Sequence, residues 1–293
     1  MRAVFLPALI LVLPIPAAVP EVRAAAAAAP QGGVLALRAP GPGPLKARLG
    51  EREHPFFPAP GGKGLAVLVP VPLDSPLGAR EVVVEGEGGA TRVPFRVTAS
   101  RGPVLKVKVP PSKTELSAAD QARAAREQAE FQAITASPGA ARAWEAPFGD
   151  PGGGAITCEF GATRRFNGTV TSVHKGLDLR AATGTPVKAA AAGTVRLAKD
   201  VFFGGNLVFV DHGCGLFTSY AHLSRLDAKP GQAVRAGERL GLSGATGRVS
   251  GPHLHWGASI AGVQVDPRLV REGMAYLCGE APARAPKRPR KRR

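Results

Sequence analysis

The fold is decided by the interval from His174 to Trp256, which holds His174-Lys-Gly-Leu-Asp178, Tyr220-Ala-His222-Leu223 and Pro252-His253-Leu-His255-Trp256. Five of the six histidines fall inside it, and the sixth, His54, lies far upstream. Such clustering makes chemical sense if folding brings the three segments together. In an extended strand alternate side chains share a face, so His253 and His255 project together with one residue between them. His174 and Asp178 add a nitrogen and an oxygen donor, with Gly176 between them to let the backbone bend. His174, Asp178 and His255 then make a three-ligand set of the N/O type that zinc accepts, with a fourth position left open for water. His222 and His253 remain as acid/base groups, since imidazole titrates near neutral pH. No His-Glu-x-x-His occurs, so a helix-borne glutamate base is not available.

Together with Asp211-His212-Gly213 and the Gly251 that precedes Pro252, these segments occur in one order over roughly residues 150 to 270. In that order and spacing the chain resembles the lysostaphin-type (LytM-type) zinc endopeptidases of bacterial cell walls. The resemblance implies Zn2+ on His174, Asp178 and His255, with His222 and His253 as the catalytic histidines. It also implies a mainly antiparallel β catalytic domain of the duplicated hybrid motif type and a substrate in the peptide part of peptidoglycan, either a stem cross-link or a glycine bridge. Some relatives have lost ligands and only activate other hydrolases; the intact set here implies an active enzyme.

Other classes stay open at this level. A non-catalytic envelope protein that binds peptidoglycan or activates a wall hydrolase would share the fold, and a protease of secreted proteins would share the chemistry. Thr183-Gly-Thr-Pro-Val187 with Ala192-Gly193, and Val234-Arg-Ala-Gly237 with Leu242-Ser-Gly244, also resemble the halves of lipoyl-type modules, but no lysine sits in a carrier-type hairpin. His54 and His212 read as structural. His212 lies where a strand runs into the Gly213-Cys-Gly turn and would orient the loop or line the groove. Tyr220, two residues from His222, is expected to share its face and offer a hydrogen bond. Asn167 and Gly168, in the loop before His174, would form one wall of a groove. Gly244-Ala-Thr-Gly247 and Gly251-Pro252 are not phosphate loops and would shape the approach to His253.

The rest of the chain frames this region. Residues 1–24 read as a signal peptide: Arg2, a short Pro-interrupted apolar run and then small residues. The run is too short to span a bilayer, so no transmembrane span is expected after its removal. Short runs such as Val34–Leu37, Leu65–Val69 and Val93–Val97, separated by Gly and Pro, predict an immunoglobulin-like β-sandwich over 30–112. Ser117 to Thr135 is rich in Ala, Gln, Glu and Arg, with Asp120 three residues after Ser117, and predicts a capped linker helix over 117–136 that lies on a surface. A zinc peptidase domain over 145–279 follows, with strands around Gly204-Gly205. Cys158, Cys214 and Cys278 suggest one disulfide in an exported chain, most simply Cys158 with Cys278.

The net charge is +16, and seven of the last ten residues are Lys or Arg, so the 280–293 tail is expected to be a disordered basic segment. Export argues against nucleic acid and toward anionic envelope polymers as its partner. The expected setting is the periplasm or cell wall, and the expected state is a monomer.

Overall fold

The computed structural model describes residues 21–100, 102–107, 116–166, 168 and 170–280. Most of the expected signal peptide and the basic tail beyond Glu280 lie outside them. Arg23–Ala24, at the end of the expected signal peptide, pairs with Val34–Ala39.

The N-terminal half forms two sheets. One carries Arg23–Ala24, Val34–Ala39, Leu65–Pro70 and Phe57–Pro58 in that order; the other carries Ala28–Pro30, Gly89–Thr98, Gly78–Gly86, Lys46–Leu49 and Arg52–Pro55. Along Gly89–Thr98 the side chains alternate, with Val93, Phe95 and Val97 buried and their neighbours exposed. These meet Leu35, Leu37, Val67 and Val69 of the facing sheet in one apolar cluster. Two sheets with a shared inner face make a β-sandwich. His54 is buried within it at 4 % exposure, opposite Ala47 and remote in the fold from the other histidines.

The outer face of the first sheet is buried too. Ala36, Ala66 and Leu68 join a second cluster with Val270, Met274 and Leu277 of the Pro267–Leu277 helix and with Leu177, Leu254 and Trp256 beside Asp178 and His255. At Gly273 an added Cβ would stand 3.1 Å from Leu68 Cδ2, tighter than ordinary van der Waals contact, so helix and sheet pack closely there. The sandwich is therefore packed into the same core as the histidine-bearing sheet.

The Ala118–Ala136 helix begins at Ser117, whose side chain accepts from the Asp120 N–H at 3.1 Å. None of its residues is fully buried; Phe131 and Ile134 lie against Leu197, Phe209 and Phe217. The helix thus covers the outside of the C-terminal sheet. That sheet runs Ile156–Cys158, Leu177–Arg180, His253–Ile260, Leu216–Leu226, Gly205–Asp211, Gly193–Val201 and Ala233–Val234. The strands expected around Gly204-Gly205 are its Gly193–Val201 and Gly205–Asp211 pair.

All three thiols are free, so the expected Cys158–Cys278 disulfide is not formed. Cys158 is paired across the sheet with Asp178 and its thiol lies near His174 and Asp178, whereas the Cys278 thiol is directed to the Glu145 carbonyl. Nearness to the two ends of a domain did not make them neighbours.

His212 is structural, as expected. Its Nδ1 donates to the Ala192 carbonyl at 2.7 Å and its Nε2 meets Thr218 Oγ1 at 2.8 Å, within a side chain that is 0 % exposed. Burial pushes its pKa down to about 4, against the smaller pull of that hydrogen bond and of Asp211. An unfolded histidine titrates near pH ~6.5, so between that pH and about 4 the unfolded chain takes up a proton the folded chain refuses. Stability contributed by His212 is full above pH ~6.5 and declines by about 3 kcal/mol as the pH falls to about 4. Urea unfolding across this interval should show the decline, shallower in a His212→Gln variant; identical profiles for the two proteins would contradict it.

Candidate active site

Strand register aligns the donors. Leu177–Arg180 pairs with His253–Ile260 so that Asp178 stands opposite His255, and the far edge of His253–Ile260 pairs with Leu216–Leu226 so that Ala221 stands opposite His255. Opposed residues share a face, which sets the Asp178 and His255 side chains together. His174 arrives from the loop before Leu177, its backbone tied by His174 N–H to the Ala162 carbonyl and Gly161 N–H to the His174 carbonyl, both at 2.8 Å.

The three side chains converge. His174 Nε2 is 3.0 Å from His255 Nδ1, and Asp178 Oδ1 is 2.9 Å from each. His174 Nδ1 donates to the Glu159 carbonyl at 2.9 Å, which leaves Nε2 as the ring atom directed at Asp178 Oδ1 and His255 Nδ1. Gly176 provides clearance: a Cβ there would lie 2.7 Å from the His255 ring and from the Trp256 carbonyl. Gly176→Ala is expected to displace His255 and destabilise the fold by about 1–3 kcal/mol. Chemical denaturation together with metal titration checks this; unchanged values for both would show that the loop yields easily.

His222 reaches the site by a break in strand periodicity. Pairing shifts between Asn206↔Leu223 and Val208↔Tyr220, so Ala221 and His222 together oppose the single Leu207, which is a β-bulge. His222 has φ 65°, unusual for a residue with a Cβ, and its N–H donates to the Gly204 carbonyl at 2.7 Å. Tyr220 consequently does not share the His222 face. It is fully buried, accepting from the Ala190 N–H at 2.7 Å and meeting Thr218 Oγ1 at 3.0 Å, with its pKa pushed up to about 12 by burial.

Both remaining imidazoles are tied at Nδ1. His222 Nδ1 donates to the Thr246 carbonyl and His253 Nδ1 to the Gly251 carbonyl, each at 2.9 Å. Thr246 is itself pinned by the Asn206 N–H at 2.9 Å and the Leu223 carbonyl at 2.8 Å. The glycine-bearing loops therefore orient the histidines, in line with their expected role. The His222 and His253 rings lie 4.8 Å apart, and His253 Nε2 is 3.6 Å from Asp178 Oδ1. The side chains of His253 and His255 are 17 % and 21 % exposed, so the cluster opens to solvent.

The three groups shift one another's proton affinity. Burial works against the His174 imidazolium, but hydrogen bonding to Asp178 and Cys158 and the Asp178 charge carry its pKa up to about 9. Asp178 is buried, yet His174 and His255 hold its carboxyl well below the usual carboxylate range. Burial pushes His255 down despite Asp178, and pushes His222 down to about 3, helped by the nearby His255 and His253. His222 is thus neutral at any physiological pH.

Two side chains at the site carried no sequence signal. Arg164 pairs with Asp178 Oδ2, and the buried Cys158 offers a sulfur close to the His174 and Asp178 donor atoms, the three lying within 4.8 Å of one another. Asn167, expected to wall the groove, lies outside the described residues.

Residues 172–267 match the pattern of peptidase family M23, and this stretch contains all five residues of the cluster. The structure is similar over 82 % of its length to a crystal structure of an M23 peptidase from Pseudomonas aeruginosa, with 32 % identity, a TM-score of 0.65 and 93 % of that chain covered. The chain belongs to peptidase family M23. Among sequence relatives, this M23 chain is 41 % identical over 109 residues to peptidoglycan DD-endopeptidase ShyC of Vibrio cholerae, covering 37 % of this chain and 25 % of ShyC. It is 44 % identical over 98 residues to the DD-carboxypeptidase/endopeptidase Mpg of Neisseria meningitidis, covering 33 % and 23 %. The M23 chain spans about a quarter of the length of the curated relatives it matches.

Proposed function

We propose that this chain is a zinc endopeptidase that hydrolyses peptide cross-links or bridges of bacterial peptidoglycan. The observation that carries the reading is the convergence of His174 Nε2, Asp178 Oδ1 and His255 Nδ1 within 3.0 Å, beside two imidazoles whose Nδ1 atoms are already committed to carbonyls. Two nitrogens and one carboxylate oxygen form a donor set of the kind zinc takes. These three atoms would hold the ion. When bound, zinc supplies Lewis acidity, which makes hydroxide available near neutral pH and polarises a carbonyl.

The chain's own residues do the rest. His222 and His253, each with Nδ1–H tied back, present Nε2 as the atom that takes up a proton. One accepts the proton of the attacking water and returns it to the departing amine; the other, carrying a second proton drawn from solvent, donates toward the developing oxyanion. The names of the relatives supply the substrate class, and the partial exposure of His253 and His255 supports access by a flexible peptide. The reading extends to a 30–112 sandwich, a 117–136 linker helix and a 145–279 peptidase domain. It places the chain in the envelope, exported by residues 1–24, with the basic tail drawn to anionic polymers. No helix among the described residues is long and apolar enough to cross a membrane.

The test uses the full chain, loaded with zinc, on isolated peptidoglycan, with mass spectrometry of the released fragments. Soluble muropeptides that require zinc are the expected result. Zinc binding with no cleavage would replace the enzyme by a non-catalytic binder or activator, and cleavage confined to protein substrates would move the chain to the secreted-protein proteases.

A further inference from the structure

Asp178 divides its two oxygens between different partners. Oδ1 faces His174 Nε2 and His255 Nδ1 at 2.9 Å and His253 Nε2 at 3.6 Å, while Oδ2 is taken by the Arg164 guanidinium. The Asp178 side chain is only 8 % exposed, so an Oδ2 without a donor would be a buried unsatisfied charge-bearing atom. Asp178 is fixed from the backbone as well, because Thr157 Oγ1 donates to its carbonyl at 3.1 Å. Arg164 itself does not sit on a loose loop. Its strand, Thr163–Phe166, pairs antiparallel with Val170–Val173 and parallel with Val104–Val107, which belongs to the connection between the sandwich and the linker helix. Cys158, opposite Asp178 in the sheet, borders the same guanidinium.

From this division of the carboxylate we infer that Arg164 is a positioning residue that holds Asp178 as a one-oxygen metal ligand, reserving Oδ1 for the ion and barring Oδ2 from it. The inference rests on the metal reading proposed above. A guanidinium suits the task because its planar donors fix the orientation of a carboxylate, whereas an ammonium supplies charge without that geometry. Partners of this kind, one bond removed from the metal, typically alter affinity by about 10–100-fold when removed. In their absence the carboxylate can turn to offer both oxygens, which raises the coordination number.

The experiment measures zinc affinity by competition with a chromophoric chelator for wild type, Arg164→Ala and Arg164→Lys, and records the visible spectrum of each protein loaded with cobalt(II). Arg164→Ala is expected to bind zinc about 10–100-fold more weakly, with Arg164→Lys between it and wild type. The cobalt absorption of Arg164→Ala should weaken as a four-coordinate ion becomes five-coordinate. Arg164→Gln, which keeps two N–H donors without charge, serves if circular dichroism shows Arg164→Ala to be misfolded. Wild-type affinity and an unchanged cobalt spectrum in a folded Arg164 variant would overturn the positioning role while leaving the metal site intact. Failure of wild type to bind either ion would overturn both this role and the metal reading.

Discussion

His255→Ala is expected to lose its zinc and its hydrolytic activity together: from about one ion per chain to a small fraction, and by roughly a thousandfold or more in rate, equivalent to ~4 kcal/mol of barrier. The ring is the shared neighbour of the other two donors, with Nδ1 at 3.0 Å from His174 Nε2 and 2.9 Å from Asp178 Oδ1. Its loss leaves two protein donors, fewer than the three that catalytic zinc sites use. The fold should survive. His255 is not part of the apolar clusters, its side chain is 21 % exposed, and Asp178 keeps His174 and Arg164 as partners. Metal analysis and muropeptide release measured on the same folded preparation decide the matter. Full zinc content in the variant would remove His255 from the ligand set, and full activity without zinc would remove the metal from the reaction.

Much of this site could be read from residue spacing, because the chemistry depends on residues that strand geometry places. His253-x-His255 needs only the two-residue period of a strand, and the structure keeps it. The antiparallel neighbour then brings Asp178 opposite His255, a pairing that spacing alone does not give. The period failed at Tyr220-Ala-His222, where a bulge sends His222 to the site and Tyr220 into the core. A bulge inserts one residue by a local backbone choice, and no side chain in the segment announces it. Arg164 carries no signal for a related reason: an arginine beside Arg165 in a polar stretch is an ordinary surface residue until a strand from elsewhere fixes its position. The expected Cys158–Cys278 bond does not form because nearness to the ends of a domain along the chain is not nearness in space. The packing of the sandwich into the catalytic core did leave a trace. Leu65–Pro70 is apolar at nearly every position, and it is buried at all but its first residue, as expected for a strand covered on both faces. The linker helix was legible to within a residue because its cap and composition are local properties.

His222→Ala is expected to reduce hydrolysis by about 10²–10⁴-fold with zinc content unchanged. The ring supplies no donor atom to the His174, Asp178 and His255 set; its Nδ1 is committed to Thr246 and it faces His253 across 4.8 Å. Stability separates the chemistry of the side chain from the geometry of its backbone. At φ 65° any residue with a Cβ is strained, and glycine is not. His222→Gly should therefore match His222→Ala in lost activity while unfolding at the higher denaturant concentration of the two. His253→Ala should fall in the same range, and the double variant should lose less than the product of the two single losses, because uptake of the water proton and donation to the oxyanion serve one transition state. Multiplying losses in the double variant would mean that the two imidazoles serve separate steps. Near-normal turnover in His222→Ala would mean that the bulge, for all its strain, positions a residue the reaction does not use.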